Sequence, residues 1–454
     1  MPSPTHSGCV DYQRSHLHRR AALKIGAAGI AGLTLPNILR ADTARRKKAT
    51  AKNVIMLFQF GGPPQHDTFD PKPNAPAEIR GEFKPMATKV PGTFICDQLP
   101  KLAALADRFA LVRSVNHNRS SHNPGAYYSL TGREPLIDIV TANASATDFP
   151  HPGAILAHLE PGPKQVPSFV SLPTMIADGP FRTPGEFAGF LGKQYDPLWI
   201  LGDPNSPTFK VEELTLPDGL DIARVDHRRD MLSKLDQLSK LADQRDVIRG
   251  LNAYQQRALD LLTSPATKKA IALHEETPAM RDRYGRTQYG QSTLLARRLI
   301  EAGTRFVCVY YSAGIGGWDT HADNFNTLRN TRLPHTNQTV SALIEDLHQR
   351  GLLDETIVFW TGDFGRTPKI NPAAGRDHWP QCQTVLLAGG GIQGGRIHGA
   401  SDANGAFPAD KPVKPDDITA TIFHALGHDP ETMLRDQLGR PVPISAGTPM
   451  LDLM

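Results

Sequence analysis

A chain of 454 residues with 39 glycines, 38 prolines and only 7% aromatics can bury one large core and is too rich in turn residues for a fibre or a coiled coil. Its formal charge of +4 is uneven: residues 1–50 carry nine Lys/Arg against Asp11 and Asp42, an excess of seven that leaves the other residues at −3. A body of that charge is no nucleic-acid binder on electrostatic grounds.

The basic front end has its own logic. Arg19 and Arg20 precede Leu23, Lys24, a run of small apolar residues and Pro36, the layout of a secretory signal too short to serve as a stable anchor. The paired arginines followed by Leu-Lys resemble the twin-arginine export signal, against the plainer reading of an uncleaved basic amphipathic start. Residues 1–50 are therefore expected to be signal and basic linker, with the mature protein periplasmic or extracellular. No later segment reaches the roughly eighteen apolar residues of a membrane span. Beyond Cys9, the cysteines Cys96, Cys308 and Cys382 show no metal-finger spacing, which leaves room for one disulfide but not a disulfide scaffold.

From residue 51 onward, apolar runs alternate with amphipathic stretches. "KNVIMLFQF" (Lys52–Phe60) followed by "GGPP" reads as a buried parallel strand with a loop at its carboxyl end. Phe109–Val115, Arg305–Tyr311, Glu355–Gly362 and Gln383–Gly390 repeat the pattern. Helices are expected at Gln98–Arg108, Thr287–Gly303, Thr336–Gly351 and Pro415–Gly427. This alternation predicts an α/β fold, a doubly wound central sheet flanked by helices, over residues 51–454. Residues 221–284, charged and poor in strand signals, read as a helical insertion with a solvated face.

In such sheets ligands gather at the carboxyl ends of the strands, and four loops there are rich in ligand-type side chains. They carry His66, Asp67 and Asp70; His117, Ser120, Ser121 and His122; Asp319 and His321; and Asp363, Arg366, Asp377 and His378. A centre of one or two divalent ions built of Asp and His needs contributions from several distant loops. Residues i and i+2 of an extended segment share a side, so Asp319 and His321 can face one ion while Thr320 turns away. Asp377 and His378 must diverge: His378 is the expected ligand, and Asp377 would orient or support the shell. The metal set is expected to be His66, Asp67, Asp319, His321, Asp363 and His378, and without cysteine it suits Zn, Ca, Mg or Mn. Each residue also has a plainer role, Asp319 as the cap of a helix begun by "NFNTLRN", Asp363 as a turn former and His378 as a partner of Trp379. Arg366 could clamp a sulfate or phosphate, or pair with a carboxylate of the "GRDHW" loop.

The blocks "GGPPQHDTFDPKPNAPAEIRGEFKP", "HNPGAYYSLTGREP", "GWDTHADNF", "GDFGRTPKIN", "GRDHWP" and "PDDITATIFHALG" resemble those of a secreted, sulfatase-like domain of unknown function in the alkaline phosphatase-like superfamily. The resemblance implies a sheet flanked by helices and one or two divalent cations. It maps the family's Asp-x-His onto Asp319 and His321, its late Asp onto Asp363 with Phe364 in place of His, and its last His onto His378. The acidic residue that ends the first strand in sulfatases is replaced by Phe60-Gly61-Gly62, so Asp67, backed by His66 or Asp70, becomes its substitute. In "HNPGAYYSLTGR" His122 stands where sulfatases carry Cys or Ser, so no formylglycine can form. His122 could hold a metal that activates water, attack phosphorus itself, or act as general base for Ser121. With Arg366 these form the expected catalytic set. The sum is an exported, metal-dependent hydrolase of a small-molecule or glycan phosphate or sulfate ester. The alternatives are a secreted non-catalytic binder of anionic glycans on the same scaffold and, more remotely, a phosphomutase or transferase.

Overall fold

The computed structural model describes residues 48–211, 227, 231, 261, 264–311 and 317–454. Within the unit Ala49–Met454, the apolar runs build an eight-stranded sheet. In chain order its strands are β1 (Asn53–Gln59), β2 (Phe109–Val115), β3 (Phe169–Leu172), β4 (Leu198–Trp199), β5 (Phe306–Tyr311), β6 (Thr356–Gly362), β7 (Gln383–Ala388) and β8 (Ile397–His398). Their spatial order is β8-β2-β7-β6-β1-β5-β3-β4. β1 pairs in parallel with β5 and β6, and covered on both faces it has no use for a polar residue between Val54 and Phe58. β7 departs from the expected parallel course and runs antiparallel to β6 and β2. A strand buried on both faces has the same composition in either direction; the β6–β7 connection, which holds no helix among the described residues, is what reverses it.

Five longer helices cover the sheet: α1 (His122–Thr131), α2 (Pro152–Leu159), α3 (Gln288–Glu301), α4 (Leu333–Gln349) and α5 (Pro415–Ala425). Alternate strand residues feed opposite cores. Leu294, Leu299, Leu343 and Leu347 of α3 and α4 meet Ile55, Leu57 and Val309 on one side. Leu130, Ile155 and Ile422 of α1, α2 and α5 meet Met56, Phe58 and Phe359 on the other. The expected helix at Gln98–Arg108 is shorter, Pro100–Ala104 with a 3-10 turn after it. Before α4, Asn324–Thr327 is α-helical and Leu328–Arg332 widens into a π turn; Pro334 just beyond has no N–H to close a regular turn there.

Most of the insertion expected at 221–284 lies outside the described residues, as do residues 1–47. Its described end forms short helices at Pro265–Ile271 and Pro278–Tyr284. Cys96, Cys308 and Cys382 are free and buried, and burial pushes the Cys96 and Cys308 thiols far above their usual range. Among the described residues no helix is long and apolar enough to cross a membrane.

Candidate metal centre

The loops after β1, β2, β5 and β6 emerge at one edge of the sheet, and the loop after β6 runs back into the antiparallel β7. Two glycines let these loops touch. Gly61 has a φ of 103°, and any Cβ there would strike the backbone of Trp318 and Asp319, whose segment is tied to β1 by the Trp318 N–H on the Phe60 carbonyl at 2.7 Å. A Cβ on Gly375 would strike the His321 carbonyl. Residues 318–321 are thus held between the end of β1 and the 363–378 loop.

Asp319 is the hub. His321 Nε2 lies 3.1 Å from its Oδ1, His378 Nε2 3.2 Å from the same oxygen and His122 Nε2 3.3 Å from Oδ2. His122, Asp319 and His378 offer ligand atoms all within 4.8 Å of one another. The i, i+2 geometry places Asp319 and His321 together, while Thr320 turns inward to donate to Asn324 Oδ1 at 2.6 Å. Asp319 does not cap the following helix, which starts at Asn324 with Asp323 at its cap position.

Each imidazole is oriented from behind. His122 Nδ1 donates to Asp363 Oδ2 at 2.5 Å, His321 Nδ1 to Asp377 Oδ1 at 2.6 Å and His378 Nδ1 to the Ser120 carbonyl at 2.7 Å. A carbonyl and carboxylates only accept, so the Nδ1 atoms carry hydrogens and each ring turns its Nε2 towards Asp319. His321 and His378 bring their Nε2 atoms to 3.0 Å of each other. At that distance the two ring nitrogens and the Asp319 oxygen need a proton or a metal ion between them. This donor set, backed by carboxylates and a carbonyl on the far ring nitrogens, fits a divalent cation.

The local charges agree. Burial acts against ionisation of Asp319, but His122, His378 and Arg366 hold its carboxyl well below the usual carboxylate range. Burial pulls His122 down too, yet Asp319 and Asp363 outweigh it and raise the imidazole to about 9. The hydrogen bond from His321 keeps Asp377 low. A field that retains a proton on His122 would equally retain a metal ion.

A family model described as "Protein of unknown function (DUF1501)" matches residues 51–454. The chain belongs to the DUF1501 family. No curated protein matches it. Among solved structures it is similar to Ps i-CgsB in complex with k-i-k-neocarrahexaose, at 12% identity and a TM-score of 0.39 over 88% of this chain and 76% of that one. The PsFucS1 sulfatase from Pseudoalteromonas sp. gives 13% and 0.37 over 86% and 70%. The phosphonate monoester hydrolase SpPMH from Silicibacter pomeroyi gives 12% and 0.36 over 88% and 76%. Values this low transfer no residue role to the DUF1501 chain.

Three residues expected as ligands take other places. Asp67 is fully buried and spent on Arg376, at 2.7 Å to Nε and 3.2 Å to Nη2, with Asn324 Nδ2 at 2.9 Å. His66 faces the Asn404 carbonyl at 2.7 Å, and burial lowers it to about 4. Neither is brought to Asp319, because a bidentate guanidinium already satisfies the carboxylate that was to carry the ion. Asp363 stands one step back: its Oδ1 accepts the Gly61 N–H at 3.0 Å and its Oδ2 takes His122, so it orients a ring.

Of the catalytic set, only His122 reaches the cluster with a ring nitrogen. Ser121 gives its N–H to Asp138 Oδ1 at 3.0 Å, and both His122 nitrogens face carboxylates, so no His122–Ser121 pair forms. Arg366 is fully buried and pairs with Asp319 at 2.6 Å, not with the "GRDHW" carboxylate; its other N–H groups go to the Gly61, Gly62 and Arg376 carbonyls. Three contributors lie outside the expected ligand and catalytic sets. The Ser120 carbonyl is a backbone atom no side-chain pattern reveals. His117 donates to the Asp363 carbonyl at 2.8 Å. Phe364 packs 5.1 Å from His122 and 4.5 Å from His378, centroid to centroid.

Proposed function

We propose that the chain is an exported, metal-dependent hydrolase of phosphate or sulfate esters that works without a formylglycine. The observation that supports this best is the convergence of three back-bonded imidazoles on Asp319. Asp319 and the Nε2 atoms of His122, His321 and His378 would hold one divalent cation. When bound, such an ion supplies Lewis acidity and lowers the pKa of a water towards neutrality. Arg366 already balances Asp319 and Phe364 presents an apolar ring to His378, which argues against a second ion there.

The chain's own residues do the rest. Asp363, Asp377 and the Ser120 carbonyl hold the rings and their protons at Nδ1. His122 is the first residue of α1, so the positive end of that helix meets the site and favours an anionic ester. Phe60 and Phe364 against His122 exclude water from its buried side and strengthen the charges around it. The paired Arg19 and Arg20 support a site of action outside the cytoplasm.

The test is turnover of an aryl phosphate monoester, an aryl phosphodiester and an aryl sulfate by purified protein. At least one should be hydrolysed, with the rate abolished by chelation and lowered about 100-fold or more in His378→Ala. Rates at the enzyme-free level for all three, together with retention of an anionic polysaccharide, would instead establish the non-catalytic binder.

A further inference from the structure

Beside the imidazole cluster lies a cleft of about 690 Å3, and we infer that it receives the neutral sugar portion of the substrate, a glycosyl ring stacked on Trp379 with its edge against Phe407. The orientation of that sugar relative to the cleaved bond rests on the hydrolase reading; its binding does not. Asp377 lines the cleft and is the same carboxylate that accepts His321 Nδ1–H at 2.6 Å. A molecule in the cleft therefore touches the residue that orients one of the rings around Asp319.

The two places share one mount. His378 and Trp379 form a two-residue strand paired antiparallel with Gly365 and Arg366. Successive strand residues face opposite sides, so His378 serves the cluster while Trp379 lines the cleft. Trp379 Nε1 donates to the Ala406 carbonyl at 2.6 Å, which fixes the indole and leaves its ring apolar. Phe407 lies 5.6 Å away at 65°, is 50% exposed and sits in a loop tied by Asp402, whose Oδ1 accepts the N–H groups of Asn404 and Ala406. The aromatic shelf is thus preorganised and needs little ordering on binding.

Its chemistry selects a class of ligand. Trp379, Phe407, Ile370 and Pro372 give apolar surface, while Asn404 and Asp377 give hydrogen-bonding groups along it. A pyranose ring offers the complement, one face of C–H bonds and a rim of hydroxyls, and aromatic shelves with a few placed polar groups suit it. The lining carries one cation, Lys369, and one anion, Asp377, so it has no net charge to draw an anion; the charge belongs at the imidazole cluster and the neutral ring in the cleft.

Fluorine NMR of protein labelled with 5-fluorotryptophan tests this. The four tryptophans give four signals, and Trp379→Phe identifies its own by removal. Neutral hexasaccharides of glucose, galactose, mannose and xylose are each titrated. At least one should shift the Trp379 signal while the fully buried Trp318 and Trp360 stay still, and Phe407→Ala should weaken that sugar's binding threefold or more. No shift with any of the four, or a change below threefold in Phe407→Ala, would overturn the inference. Aryl ester turnover followed in parallel separates the two claims: sugar binding without turnover sinks the hydrolase alone, and turnover without sugar binding sinks the cleft alone.

Discussion

Two aspartate–arginine pairs stand in neighbouring loops and do opposite things. Asp67–Arg376 is closed: both side chains are wholly buried, and every carboxylate oxygen has a donor. Asp319–Arg366 is open: the guanidinium is buried, but the carboxylate side chain is 42% exposed and attracts three imidazoles besides. The first pair is complete without a ligand. The second gathers ring nitrogens around one partly exposed carboxylate, a donor set that suits a cation.

Replacement of each aspartate should break the symmetry most. Asp67→Ala leaves the Arg376 charge buried and unpaired, and should remove about 3–5 kcal/mol of stability, read as a lower midpoint in urea or as loss of soluble protein. Asp319→Asn keeps a side-chain oxygen for Arg366 at a position 42% exposed to water, so the unfolding free energy should stay within about 1 kcal/mol of the parent, yet cation uptake measured by calorimetry should be abolished. Equal loss of stability in both variants would erase the distinction. A smaller effect sharpens it: Asp377→Ala removes only the support of His321 and should weaken cation affinity about 10–100-fold without unfolding the chain.

The contrast also bounds what the sequence could tell. Strand runs such as Val54–Phe58 announce the sheet, because only a strand covered on both faces is so uniformly apolar. The i, i+2 rule anticipated that Asp319 and His321 would share a side, and the divergence of adjacent residues separated Asp377 from His378. Nothing local distinguishes Asp67 from Asp319, since both are acids in loops after strands. Their difference lies in Arg376, more than 300 residues from Asp67, and pairing at that range is invisible to spacing. The direction of β7 was hidden for a related reason, as composition reports burial and not polarity.

The smallest prediction concerns a buried acid away from the cluster. Glu186 accepts the Ile176 N–H at 3.0 Å through Oε1, while its buried Oε2 finds no partner among the described residues. Burial raises its carboxyl well above 4.5, so the folded chain keeps a proton that the unfolded chain releases. Stability drawn from this group is present at low pH and declines as pH climbs from 4.5 towards the raised value. Glu186→Gln has no proton to lose, and its stability relative to the parent should improve as pH rises above 4.5 in urea titrations. A constant difference across that range would place the ionised form in the core.

Native mass spectrometry of the intact protein weighs the central claim most directly, because it counts bound ions whatever their element. The parent should carry one divalent ion per chain, Asp67→Asn should still carry it, and the double variant Asp319→Asn, His378→Ala should carry none. An ion that survives the double variant, or departs with Asp67→Asn, would contradict the account.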